Sequence, residues 1–148
     1  MVGELTADAI ESLLHSEIVA RIAYVDRRGL PNIVPITYAY DGRCLYGYSL
    51  LGAKMEFMSA NPQVCIAIDR IESAADWRSV TARGEFQALQ GEAAEQAVER
   101  ISDRLRTYGA ATNAPVPAWK TFVARSGGAG LAYRIVLSAK QGRYSASA

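Results

Sequence analysis

Histidine is almost missing from this chain: His15 is the only one in 148 residues. With one imidazole and no Cys-x-x-Cys pair, a closed four-ligand zinc site of the usual kind cannot assemble. No histidine stands ready to serve a serine or cysteine nucleophile, and Gly-x-Ser-x-Gly is absent, which removes the common hydrolase arrangements. There is no Walker phosphate loop, and no Gly-x-Gly-x-x-Gly follows a strand. Excess charge is lacking too. Sixteen basic residues face fifteen acidic ones, so the net charge of +1 creates no field that would gather nucleic acid or an anionic membrane. No apolar run approaches the ~20 residues needed to cross a bilayer. Met1-Val2-Gly3-Glu4 lacks the basic start of a signal peptide, and the expectation is a cytoplasmic protein. Only Cys44 and Cys65 occur, each inside an apolar run, where reduced buried thiols are expected and a disulfide stays open.

What is present is ordinary for one globular domain, 1–148: hydrophobic residues make up 50% and charged residues 21%, which excludes a disordered chain. Thr6 suits the N-cap of a short helix, with Leu5 and Ile10 as a hydrophobic staple and Ile10, Leu13 and Leu14 on one face. His15, near the end of that helix, reads as a surface or capping residue. From Ile18 the pattern becomes β-branched and aromatic. Ile18–Asp26, Pro31–Tyr40 and Arg43–Ser49 read as an antiparallel meander, with turns at Asp26-Arg27-Arg28-Gly29 and Asp41-Gly42. Gly52–Asn61 is helical and stopped by Pro62. Val64–Asp69 reads as a strand buried on both faces, Arg70–Asp76 as a polar loop, and Trp77–Leu89 as a long strand with a bulge or bend at Gly84. Glu92–Tyr108 is the clearest helix, with Ala94, Val98, Ile101, Leu105 and Tyr108 on one stripe. After an irregular stretch with a helical turn at Ala118–Val123, Leu131–Ser138 forms the last strand, before a polar tail. Six strands with mostly local pairing and two or three helices predict a closed or partly closed antiparallel barrel, the alternative being an open α+β sandwich.

With so thin an acid–base inventory, an enzyme of this sequence would borrow its chemistry from a cofactor. Three segments offer a site. Ser49-Leu50-Leu51-Gly52-Ala53-Lys54 joins a strand end to a helix start, where free amides attract an anion. Lys54 opposes the helix dipole there by roughly 0.3–1 kcal/mol unless a bound phosphate compensates or the side chain bends into water. Trp77-Arg78-Ser79 either opens an ordinary strand or gives Arg78 to an anion and Ser79 to a ligand edge. Val34-Pro35-Ile36-Thr37-Tyr38 breaks a strand ladder at Pro35. That break guards a sheet edge or frees backbone groups for a flat heterocycle. Tyr38, Tyr40, Tyr46 and Tyr48 cluster around the hairpin and read as packing.

Taken in order, these segments resemble the pyridoxamine 5′-phosphate oxidase-like family of flavin-binding split barrels, in particular its small single-domain branch with the nitroimidazole-resistance proteins. The matching pieces are Ala20-Arg21-Ile22-Ala23, Gly29-x-Pro31-x-x-Val34-Pro35, Gly52-x-Lys54-x-Glu56, Asn61-Pro62-x-Val64-Cys65 and Trp77-x-Ser79-Val80-x-x-Arg83-Gly84, covering about residues 18–90. The resemblance implies a mostly β protein, a six-stranded antiparallel split β-barrel with flanking helices. It implies a homodimer with two FMN sites in clefts between the subunits. Val34, Pro35, Ile36 and Thr37 are the implied ring contacts. Ser49, Gly52 and Lys54 are the implied phosphate holders, and Trp77, Arg78 and Ser79 the implied further polar contacts. The implied activity is an FMN-dependent oxidoreductase acting on a small molecule with a nicotinamide or similar donor. The alternatives are a deazaflavin or haem in the same cleft, or a module that stores or senses FMN. One departure stands out: Gly47 occupies the position where nitroimidazole-resistance relatives carry a histidine near the flavin. Glycine can do no acid–base work, which separates flavin binding from nitroimidazole reduction.

Overall fold

A computed structural model describes residues 1–50 and 52–146. Leu51, inside the segment expected to hold a phosphate, and the last two residues, 147–148, lie outside the described residues.

The chain opens with strand β1 (Val2–Glu4) and helix α1 (Ala7–Ser16). Thr6 caps that helix as expected, its hydroxyl accepting from the Ala9 amide at 3.2 Å. Leu5 and Ile10 meet over Gly142, whose missing Cβ would lie 2.8–2.9 Å from both side chains. Strands β2 (Val19–Val25) and β3 (Pro31–Thr37) follow, joined by the expected turn: the Asp26 carboxylate accepts from the Arg28 and Leu30 amides, and Gly29 takes φ +77°. β4 (Ala39–Tyr40) and β5 (Cys44–Leu50) flank the Asp41-Gly42 turn, where Asp41 accepts from the Arg43 and Cys44 amides and Gly42 sits at φ +95°.

These strands do not form the expected three-strand meander. The sheet runs β3-β2-β6-β7-β8-β5-β4, with β1 added to β8, so β3 and β4 stand at its opposite ends. Pro31–Tyr40 is one extended segment that changes partner at Tyr38, whose amide makes the last bond of the β2 ladder, to the Ile18 carbonyl. One half pairs with β2 and the other with β5. The hydrogen-bonded path is therefore open, yet both its ends belong to one piece of chain, and this is how the barrel is split. Tyr38 itself is fully buried and donates to the Leu14 carbonyl at 2.8 Å, which ties the change of partner to α1.

Helix α2 (Ala53–Ala60) leads into β6 (Gln63–Ser73) and β7 (Asp76–Ala88), a long hairpin that replaces the expected loop at 70–76. β6 is buried on one face only. Val64, Ile66 and Ile68 point inward, while Cys65 is exposed, contrary to the expectation of a two-sided strand with a core thiol. A short apolar run looks the same in either setting when its outward residues are small. Gly84 forms no bulge; it keeps register with Val64 and leaves room for Ile135, 2.3 Å from where its Cβ would be. α3 (Gly91–Thr112) is longer than expected, and its buried stripe is Ala97, Ile101, Leu105 and Gly109. α4 (Trp119–Arg125) and a short 3-10 turn precede β8, which runs Gly130–Ser145 and absorbs the residues expected as a polar tail. The polar end of β8 has no hydrophobic pattern because β1 and β7 hold it by backbone pairing.

Two apolar layers result. The barrel interior holds Leu14, Ile22, Tyr38, Leu45, Met58, Ile66, Tyr133 and Ile135. The second layer, between β5, β8 and α3, holds Cys44, Tyr46, Ala97, Ile101 and Leu105. No helix among the described residues is long and apolar enough to cross a membrane.

Candidate functional site

The strand-to-helix joint after β5 brings two of the expected residues together. Ser49 faces the barrel mouth near the end of β5, and Lys54 lies in the first turn of α2 and reaches back to donate to the Ser49 hydroxyl at 3.3 Å. Burial alone pushes the Lys54 ammonium below its ordinary pKa, and among the described residues no carboxylate lies within ion-pair distance of it. A half-buried cation normally finds a counter-charge. Gly52 caps α2 with no side-chain hydrogen bond, so no side chain of the cap competes for the first helical amides. A Cβ on Gly52 would meet nothing, which leaves the approach open. An acceptor-rich anion fits this donor set.

Beneath Ser49 the barrel wall carries a residue that the sequence patterns had not singled out. Tyr133 on β8 pairs with Gly47 on β5, and its ring lies across that glycine: a Cβ at position 47 would be 2.4 Å from Cζ and Oη. Tyr133 is fully buried, and its hydroxyl sits beside Ser49 without a well-formed hydrogen bond. Burial drives its pKa up to about 12, so it stays a neutral donor. Its segment reads as a plain apolar strand, and only the facing glycine signals that a large ring must fit there.

The other expected residues lie apart from this joint. β3 is an end strand of the sheet, which accommodates the missing amide of Pro35. Pro35 is exposed and Thr37 half-buried, whereas Ile36 is buried and Val34 packs against the interior, so those two offer an outer-face ligand only their backbone groups. Trp77 and Ser79 line a small hollow with Thr81, Gln141, Gly142 and Arg143. Arg78 points to the opposite face, into a hollow shared with Thr6, Ala9 and Tyr144. Register runs Pro35, Arg21, Ala67, Thr81 across four strands, which puts β3 roughly 14 Å from β7 on one sheet. A single copy does not gather the ten residues into one pocket.

A hollow of about 910 Å³ lies between α3, α4 and the ends of β5 and β8. Glu92, Glu95 and Glu99 rim it, and its Lys120 already pairs with Glu99, so it repels the anion that Lys54 would attract.

The comparisons with known proteins agree with this architecture. An uncharacterised protein of Rhizobium meliloti (strain 1021) is 42% identical over 71 residues, 48% of this chain and 46% of that protein, so the chain matches about half the length of this relative. The solved structure of a FAD-binding protein from Mesorhizobium loti is similar over 99% of both chains, with TM-score 0.76 and 24% identity. That of a candidate 5-nitroimidazole antibiotic resistance protein from Bacteroides thetaiotaomicron VPI-5482 covers 97% of this chain and 87% of its own, with TM-score 0.72 and 18% identity. The pattern of the pyridoxamine 5′-phosphate oxidase family matches residues 6–123. With that pattern spanning most of the split barrel, the chain belongs to the pyridoxamine 5′-phosphate oxidase family.

Proposed function

We propose that this protein binds FMN as a homodimer and serves as an oxidoreductase for a small molecule, with a nicotinamide or similar donor. The observation that carries the reading is Lys54: an ammonium half-buried at a helix start, hydrogen-bonded to Ser49 and lacking a carboxylate partner among the described residues. A single phosphate supplies the missing charge and accepts from Lys54, Ser49 and the first amides of α2. The long polyanionic tail of a deazaflavin asks for more cations than this joint offers. The Mesorhizobium loti neighbour binds FAD, so FAD is the competing flavin.

The outer face of β3, β2, β6 and β7 supports the homodimer reading. Val19, Ile33 and Ile71 are 47%, 62% and 71% exposed there, and alternation along the strands places Pro35, Thr37, Trp77 and Ser79 on the same side. A second copy on this face buries those side chains and brings the β3 edge of one protomer to the Trp77–Ser79 segment of its partner. When bound, the flavin supplies the two-electron redox chemistry. The chain's own part is to neutralise the phosphate through Lys54 and Ser49, to address the ring with backbone groups around Pro35, and to exclude water by the dimer contact.

An absorption spectrum of the protein as purified, repeated after incubation with FMN and gel filtration, tests the reading. Flavin bands that travel with the protein support it. A colourless protein that retains no FMN overturns it.

A further inference from the structure

We propose that Tyr133 is a positioning residue that turns Ser49 into an obligatory hydrogen-bond donor, so that the joint selects ligands ending in an acceptor-only phosphate. The proposal rests on the phosphate reading of Lys54 and Ser49 and adds a residue and a selectivity to it.

A serine hydroxyl carries one proton and two lone pairs. The Lys54 ammonium already donates to one lone pair of Ser49. The Tyr133 hydroxyl sits beside Ser49 without a well-formed hydrogen bond, in a side chain with no exposed surface. That phenol is a neutral donor, since burial lifts its pKa to about 12. Leaving it unpaired costs folding stability, and a tyrosine that served only to fill space would be better as phenylalanine. Once Tyr133 donates to the second lone pair, both lone pairs of Ser49 are taken and its own proton is left to donate, toward the ligand. A phosphate oxygen accepts there. A ligand hydroxyl must give up its own donor role to do so. Gly47 makes the arrangement feasible, because any side chain at that position would displace the ring that carries the hydroxyl.

The test compares FMN with riboflavin, which has the same ring and a hydroxyl in place of the phosphate. Dissociation constants are measured by flavin fluorescence quenching for the wild type, Tyr133→Phe, Ser49→Ala and the double variant, alongside melting of each ligand-free protein. Tyr133→Phe is expected to weaken FMN binding about tenfold, to leave riboflavin binding within about twofold, and to raise the ligand-free melting temperature. In the Ser49→Ala background the same substitution should change FMN affinity by less than about twofold, because Tyr133 acts through Ser49. If Tyr133→Phe leaves the FMN-to-riboflavin ratio of the wild type intact, the inference falls while the phosphate reading stands. It falls equally if the loss is as large without Ser49. A wild type that binds the two flavins alike overturns both.

Discussion

Gly47 and Tyr133 face each other across β5 and β8, and the volume a side chain would need at one is filled by the ring of the other: an added Cβ would lie 2.4 Å from Tyr133 Cζ and Oη. Gly47→Ala therefore forces a fully buried ring to move and should destabilise the fold by about 1–3 kcal/mol, as overpacking does. Combined with Tyr133→Val, which vacates the space, it should cost less than the sum of the two single changes; urea unfolding of the three variants measures that coupling. The same geometry explains why no imidazole stands at position 47: a histidine would need Tyr133 to leave.

Lys54→Ala should weaken FMN binding by about 1.5–3 kcal/mol, the value of a charge-assisted contact, and leave riboflavin unaffected. Ligand-free stability should not fall, because the change removes a half-buried cation with no carboxylate beside it among the described residues.

Alkaline pH offers a separate check. Burial holds the folded Lys54 pKa below the ordinary lysine value, so the charged form is the disfavoured one in the ligand-free protein and its penalty is relieved as pH rises through that lowered pKa. Affinity for FMN should accordingly begin to fall before the ordinary lysine range is reached. Lys54→Arg should push that loss to higher pH, as a titration series in FMN fluorescence would show.

Acid stability should depend on Glu11. Burial raises its pKa, but hydrogen bonds from Lys140 and Tyr40 and the charges of Lys140 and His15 outweigh this and hold it below the ordinary carboxylate value. The resulting stabilisation is fully present above the ordinary glutamate pKa and is lost as pH falls through the lowered one. The pair is more than a third exposed on the Glu11 side, so its contribution is under about 1 kcal/mol. Glu11→Gln should lower the urea midpoint near neutrality and match the wild type at the acid end.

Much of this architecture is legible in the residues, and the exceptions have physical causes. Caps and turns are local, so Thr6, Asp26 and Asp41-Gly42 announce themselves through side-chain hydrogen bonds to nearby amides. The partner of a strand is not local. Nothing within Pro31–Tyr40 says that its halves serve opposite ends of a sheet, because the chain changes partner at Tyr38 without glycine or proline there. β1 and the end of β8 escape the hydrophobic pattern since they pair through backbone and carry few apolar side chains. At the site, Lys54 and Ser49 are legible as a spacing across a strand–helix joint. Tyr133 is not, because its significance comes from the strand beside it rather than from its own neighbours.

The dimer proposal predicts that Ile33→Glu with Ile71→Glu, both on the exposed outer face, yields a folded monomer that no longer retains FMN. Sedimentation velocity and circular dichroism of the double variant measure the two properties independently.

The central claim, that a flavin phosphate meets the Lys54 ammonium, is tested most directly by titrating wild type and Lys54→Ala with FMN under identical conditions and following fluorescence quenching. The account predicts saturation near one FMN per chain in the wild type and a curve displaced by roughly tenfold or more in the variant. Superimposable curves, or no quenching in the wild type at micromolar FMN, would contradict it.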